Sequence, residues 1–117
     1  MTIFFAELVG TLLLILLGDG VVANVVLKKS GGSGAGLIVI AIGWAFAVGI
    51  PALIFGSYSG AHFNPALTIA LAVIGKVSWA QVPIYLAGQC IGAFLGAVLV
   101  FIVYNDQFKA CLLYTSL

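Results

Sequence analysis

Residues 56–68 read Gly56-Ser57-Tyr58-Ser59-Gly60-Ala61-His62-Phe63-Asn64-Pro65-Ala66-Leu67-Thr68. The first eight, Gly56 to Phe63, are too polar and too rich in glycine for a helix in lipid. Asn is a favoured N-cap and Pro a favoured first helical residue, so a helix is expected to start at Asn64. Apolar residues run from Ala66 to Ile74 and stop at Gly75-Lys76. That is about half the length a membrane crossing needs. A short apolar helix behind irregular backbone predicts a re-entrant segment over 56–75, not a span. Most Asn-Pro dipeptides are ordinary turns; the position of this one between long apolar runs sets it apart.

Those runs lie on both sides. Ile3 to Leu27 ends at Lys28-Lys29 and a Gly/Ser stretch, Ser30 to Gly34. It lacks the basic leading region of a cleavable signal and carries Glu7 near its start. Ala35 to Phe55 contains Pro51, which a membrane helix tolerates when neighbours or water serve the freed carbonyl. Trp79 to Tyr104 has Pro83 in its first turns and closes at Asn105-Asp106. The expected order is span (about 3–27), loop, span (35–55), re-entrant loop with half-helix (56–75), span (79–104). This is an all-α membrane architecture.

Composition agrees. The 117 residues are 64% hydrophobic and 6% charged, and mean hydropathy is +1.33. A soluble domain carries about a quarter charged residues. Disorder is excluded by the same scarcity of charge. Four Lys and no basic cluster leave nucleic acid without an electrostatic footprint. Two distant Cys and a single His offer neither a disulfide framework nor a metal set, and no cofactor is implied.

Several residues carry more information. Glu7 inside an apolar run is either solvated at the interface or turned inward, accepting hydrogen bonds from irregular backbone. Asp19, between Gly18 and Gly20, is read as solvated near the far interface. Extended backbone over Gly60–Phe63 presents carbonyl oxygens. A half-helix at Asn64 aims its positive dipole end into the membrane. Together they make a polar track suited to water or a hydroxylated solute and hostile to cations. His62 is read as a brace for the loop, against Glu7, rather than a metal ligand. Gly88, Gly92 and Gly96 form a small-residue ladder for close helix contact. Gln89 needs a partner at depth, either in a pore or between helices. Trp44 in mid-span is packed core or the wall of an apolar lumen; Trp79 suits the interfacial belt. Cys90 reads as a small packing residue.

Three stretches now stand out together: Ala6-Glu7-Leu8-Val9-Gly10-Thr11, Ser59 through Thr68, and Tyr85-Leu86-Ala87-Gly88-Gln89-Cys90-Ile91-Gly92-Ala93. In order and spacing they resemble the signatures of the first half of the aquaporin (major intrinsic protein) family, over about residues 3–108. The chain is most similar to the bacterial glycerol uptake facilitator branch. Trp44 stands where that branch carries the Trp of its selectivity filter, and Gly18-Asp19-Gly20 and Asn24 also resemble it. The resemblance implies a passive channel for glycerol, other small uncharged polyols and water. Carbonyls of Gly60, Ala61, His62 and Phe63 would form the acceptor ladder, and Asn64 would donate its amide at the pore centre. Pro65 and Ala66 would stack on the matching motif of a second half. Glu7, with Gln89, would support the loop. A homotetramer in the plasma membrane is implied, with the N-terminus and re-entrant loop cytoplasmic, although Lys28, Lys29 and Lys109 against Lys76 favour the opposite orientation by the positive-inside rule.

The family pore is built from two inverted repeats and six spans. This chain supplies one repeat, residues 1–108, without the second Asn-Pro-Ala or the filter Arg. It therefore reads as an N-terminal fragment that does not conduct alone. The tail, 109–117, is set apart: Cys111 to Leu117 fits no span and resembles a translated sequencing adapter, a native loop being the alternative. Two readings stay open within the channel class, glycerol passage and water-only selectivity. Outside it stand a non-conducting membrane fragment and an ion- or proton-coupled carrier using Glu7 and Asp19 as relays. No enzymatic chemistry is expected.

Overall fold

The computed structural model describes residues 1–115, with side chains through Cys111. Its elements are helices: α1 (Ile3–Val26), α2 (Leu37–Ser59), α3 (Pro65–Val73), α4 (Val82–Val103) and α5 (Asn105–Thr115). Three of them, α1, α2 and α4, are long and apolar enough to cross a bilayer. The nine-residue α3 covers only about 14 Å at 1.5 Å per residue.

Local chemistry sets the ends. Thr2 caps α1 by accepting the Phe5 N–H on its hydroxyl. Asn64 caps α3 by accepting the Ala66 N–H, and Pro65 follows as the first helical residue. Gly60 closes α2 in the left-handed conformation, φ 83°, its N–H reaching the Gly56 carbonyl. That region is inaccessible to most side chains and open to glycine.

The long helices pack around α1. Gly88, Gly92 and Gly96 of α4 face the carbonyl oxygens of Phe4, Leu8 and Leu12 in that order, so α1 and α4 run parallel. A Cβ at Gly88 or Gly96 would stand 2.7 Å from its facing oxygen, and one at Gly92 would collide outright with Leu8. Backbones touch here because each fourth residue lacks a side chain. On its other side α1 receives α2: Trp44 lies over Gly18, and Gly43 meets Val21. α2 packs along α1, and α3 packs on α4. Much of α2 faces outward, with Leu53 88% and Leu37 78% exposed. Such a face is at home in lipid or against another membrane helix.

The link over residues 27–36 is tied down. The Gly32 N–H donates to Asn24 Oδ1, Asn24 Nδ2 donates to the Tyr104 hydroxyl, and Ser30 donates to the Asn24 and Leu27 carbonyls. The link and the adjoining ends of α1 and α4 are thereby joined at the end opposite Glu7.

Three helix ends differ from those expected. Residues 56–59 are helical, not irregular, so the re-entrant turn begins at Gly60. The reason is that Ser59 is not left to lipid: it is buried, its hydroxyl donates to Glu7, and its carbonyl accepts from Tyr85. α2 begins at Leu37 rather than Ala35, and α4 at Val82 rather than Trp79, which stays exposed in the preceding turn. Beyond the last span, α5 carries helix from Asn105 through Thr115. Ser116 and Leu117 lie outside the described residues.

Candidate functional site

The site grows from Glu7. It lies one turn into α1, and its side chain is fully buried. A carboxylate there must be satisfied by the protein, because a fully buried side chain is out of reach of solvent. Four donors converge on it. Oε1 accepts from the Ser59 hydroxyl at 2.6 Å and the His62 N–H at 3.0 Å. Oε2 accepts from the Phe63 N–H at 2.8 Å and Gln89 Nε2 at 2.8 Å. One side chain thus fixes the end of α2, the turn after it and α4.

A second layer surrounds the first. Thr68, fully buried on α3, accepts from Gln89 Nε2 at 3.0 Å, sits 3.0 Å from His62 Nδ1, and donates to the Asn64 carbonyl at 3.2 Å. Tyr85 donates to the Ser59 carbonyl at 2.6 Å and stacks its ring on His62, centroids 4.3 Å apart. The Ser59 hydroxyl also accepts the Ala61 N–H. His62 lies in the link between α2 and α3, where burial pushes its imidazole below the ordinary value against an opposing pull from Glu7.

This bracing holds unusual backbone. Ala61 and Phe63 adopt φ of 54° and 52°, a region that costs a non-glycine residue about 1–2 kcal/mol. Phe63 is held there because its ring fills the space over Gly10 and joins Ala6 and Phe55 in the core. Among the described residues no donor reaches the carbonyls of Gly60, Ala61, His62 or Phe63. Asn64 is exposed, and its Oδ1 is taken by Ala66, so its free amide end is a donor. Free acceptors therefore lead to a free donor at the positive end of a half-helix.

Of the residues singled out from sequence, Glu7, His62, Phe63 and Gln89 converge directly, and Gly60, Ala61, Asn64, Pro65 and Ala66 follow them along the turn. His62 braces the loop through its backbone N–H to Glu7, while its ring turns to Thr68 and Tyr85. Gln89 bonds between helices. Trp44 lies elsewhere: half-buried over Gly18, fifteen residues before Ser59 and so about 22 Å along α2. Ser59, Thr68 and Tyr85 had drawn no individual role. Helical spacing carried the signal: Thr68 is four residues past Asn64 and Tyr85 four before Gln89, each pair on one face.

The family model described as "Major intrinsic protein" matches residues 1–116. The chain belongs to the major intrinsic protein family. Among its relatives, the "Probable glycerol uptake facilitator protein" of Thermotoga maritima is 54% identical over 109 residues, covering 93% of this chain and 47% of that protein. The "Glycerol uptake facilitator protein" of Bacillus subtilis is 49% identical, covering 94% and 40%. The X-ray structure of the aquaglyceroporin from Plasmodium falciparum superposes with a TM-score of 0.83 at 34% identity, over 92% of this chain and 43% of that one. The chain spans about half the length of the curated relatives it matches. The major intrinsic proteins are membrane channels rather than an enzyme class, and in this member helices surround one irregular, braced turn.

Proposed function

We propose that this chain forms one half of a passive channel for glycerol and other small uncharged polyols, together with water. One observation carries the reading: an unpaired run of carbonyls, Gly60 to Phe63, leads to the exposed amide of Asn64 at the start of a half-helix. Polyol hydroxyls both donate and accept, so they match acceptors followed by a donor. The positive end of α3 opposes cations, and proton passage is blocked by the same field. Glu7 and Gln89 hold the turn. Trp44 supplies an apolar wall for the carbon backbone of the solute, and Pro65 and Ala66 meet a second repeat. The names carried by the relatives support glycerol over water alone. A homotetramer in the cell membrane completes the assembly, with the outward face of α2 available for contact between subunits.

The test is solute-driven swelling of proteoliposomes. Chain extended by a second repeat should pass glycerol down its gradient and ignore a proton gradient. Concentration of glycerol against its gradient would instead establish a carrier. Trp44→Phe should lower glycerol flux relative to water; an unchanged ratio removes Trp44 from the filter. The chain alone should leave vesicles impermeable, since its half-helix lacks a counterpart.

A further inference from the structure

Glu7 is not the only carboxyl group set in a spanning segment. Asp19 of α1 follows Gly10 by about two and a half turns of helix, so it projects from the side of α1 opposite the Phe63 ring and the braced turn. The glycine contacts of the α1–α4 seam end just before it, with Gly96 on Leu12 and Ile15. Beyond that contact a trough of about 470 Å³ runs between α1 and α4, bounded by Phe108 of α5. The Phe108 ring stacks on Phe101, centroids 5.6 Å apart. Asp19 and Ala97 stand at the inner end of the trough, and Leu27 at the end where α1 stops. Apart from Asp19, the side chains that line it are apolar.

A carboxylate in such walls is short of partners. Asp19 is half-buried, and among the described residues no hydrogen bond or ion pair reaches it. A charge so placed calls for a counter-charge that also brings hydrogen-bond donors. A metal ion is a poor match, because hard cations take about six or more oxygens and the trough offers one carboxyl group. An ammonium group on a hydrocarbon chain matches both parts. Its N–H donors meet the carboxylate oxygens, and its carbons lie along Val22, Val26 and Val100.

We propose that this trough is a binding site for a free primary alkylamine, inserted ammonium first, with Asp19 at its floor. Depth favours a free amine over a lipid headgroup. Asp19 is about 10 Å inside the end of α1. The helix is about 36 Å long against a hydrocarbon core of about 30 Å, so the carboxylate lies roughly 7 Å below the boundary. The ammonium of an aminophospholipid belongs to the headgroup layer above it. From Asp19 to Leu27 the trough runs about 12 Å along α1, which suits n-hexylamine or n-octylamine. The site is separate from the turn and stands whether or not the chain forms part of a polyol conduit.

The test is calorimetric titration of n-hexylamine, at neutral pH where the amine is charged, into the whole chain in phosphatidylcholine nanodiscs, with empty nanodiscs subtracted. Wild type should bind n-hexylamine at least about tenfold more tightly than n-hexanol, the worth of one hydrogen bond to a charged group. Asp19→Asn keeps the shape of the side chain and should bring the amine down to the level of the alcohol. Ala97→Phe fills the floor, leaves the carboxylate in place and should abolish amine binding. Equal affinity for amine and alcohol in wild type overturns the proposal, and so does wild-type binding by either variant with its helical content unchanged. Should a variant not fold, the amine-to-alcohol ratio of wild type decides. Loss of the amine site when phosphatidylethanolamine replaces part of the phosphatidylcholine would make a lipid headgroup the occupant and overturn it too. A changed oligomeric state in Asp19→Asn would also overturn it, since the carboxylate would then be a contact between copies of the chain.

Discussion

Glu7→Gln isolates the contribution of a single oxygen atom. The shape of the side chain is unchanged, but one acceptor becomes an NH₂. If the nitrogen takes the place of Oε2, it confronts the Phe63 N–H and Gln89 Nε2, both donors. Gln89 has a remedy, because its buried Oε1 has no partner among the described residues and can turn inward. The Phe63 N–H has none, since its nitrogen is fixed in the backbone. If the nitrogen replaces Oε1, Ser59 can rotate its hydroxyl to accept, but the His62 N–H is stranded. Either way at least one buried amide is orphaned, at about 1–3 kcal/mol. The turn should therefore open more often by about 5- to 150-fold, at about 1.4 kcal/mol per factor of ten. Amide hydrogen exchange reads this directly. Exchange at His62 or Phe63 should accelerate by that factor, while amides of the α1–α4 seam, such as Gly92, should be unchanged. If both turn amides exchange at the wild-type rate, the claim that Glu7 holds the loop is wrong. If the seam accelerates equally, the effect is global and the turn is not a separate unit.

Four further outcomes follow from packing, polarity and backbone strain. Gly92→Ala should lower stability by about 1–3 kcal/mol in reversible unfolding from mixed micelles, because its Cβ meets the backbone oxygen of Leu8. Gly49→Ala, with open space at its Cβ, should be neutral or stabilising by up to about 1 kcal/mol in the same assay. Thr11→Val should raise the unfolding midpoint by about 1 kcal/mol equivalent, since the Thr11 hydroxyl is buried without a partner among the described residues. Ala61→Gly should also stabilise, by roughly 0.5–1 kcal/mol: relief at φ 54° outweighs the extra chain entropy of glycine. A measured loss at Ala61→Gly would mean that its backbone is not strained.

Much of the site was legible because the rules behind it are local. Asn64-Pro65 announced a helix start from two residues, and α3 begins there. The glycine ladder at 88, 92 and 96 announced a close contact from spacing alone, though not its partner. The boundary at Ser59 was misread for the opposite reason. Gly56-Ser57-Tyr58-Ser59 is polar by composition, yet it remains helical because the groups that satisfy Ser59 arrive from residues 7 and 85. Glu7 posed the same difficulty. A carboxyl near the start of a span is solvated or turned inward depending on what surrounds it, and its partners lie 52 to 82 residues away.

The sequence by itself determined the class of the molecule: periodicity, caps and scarcity of charge depend on neighbours within a turn or two of helix. Three apolar runs and a half-length helix follow from that, and so does membership of the major intrinsic protein family. Only the tertiary structure decided which groups meet. It put one buried carboxyl against four donors, used Thr68 and Tyr85 to fix an imidazole, and left four carbonyls and one amide free. Whether a polar atom is spent or available depends on distant chain segments, so the chemistry of the turn is a property of the packed helices and not of the motif.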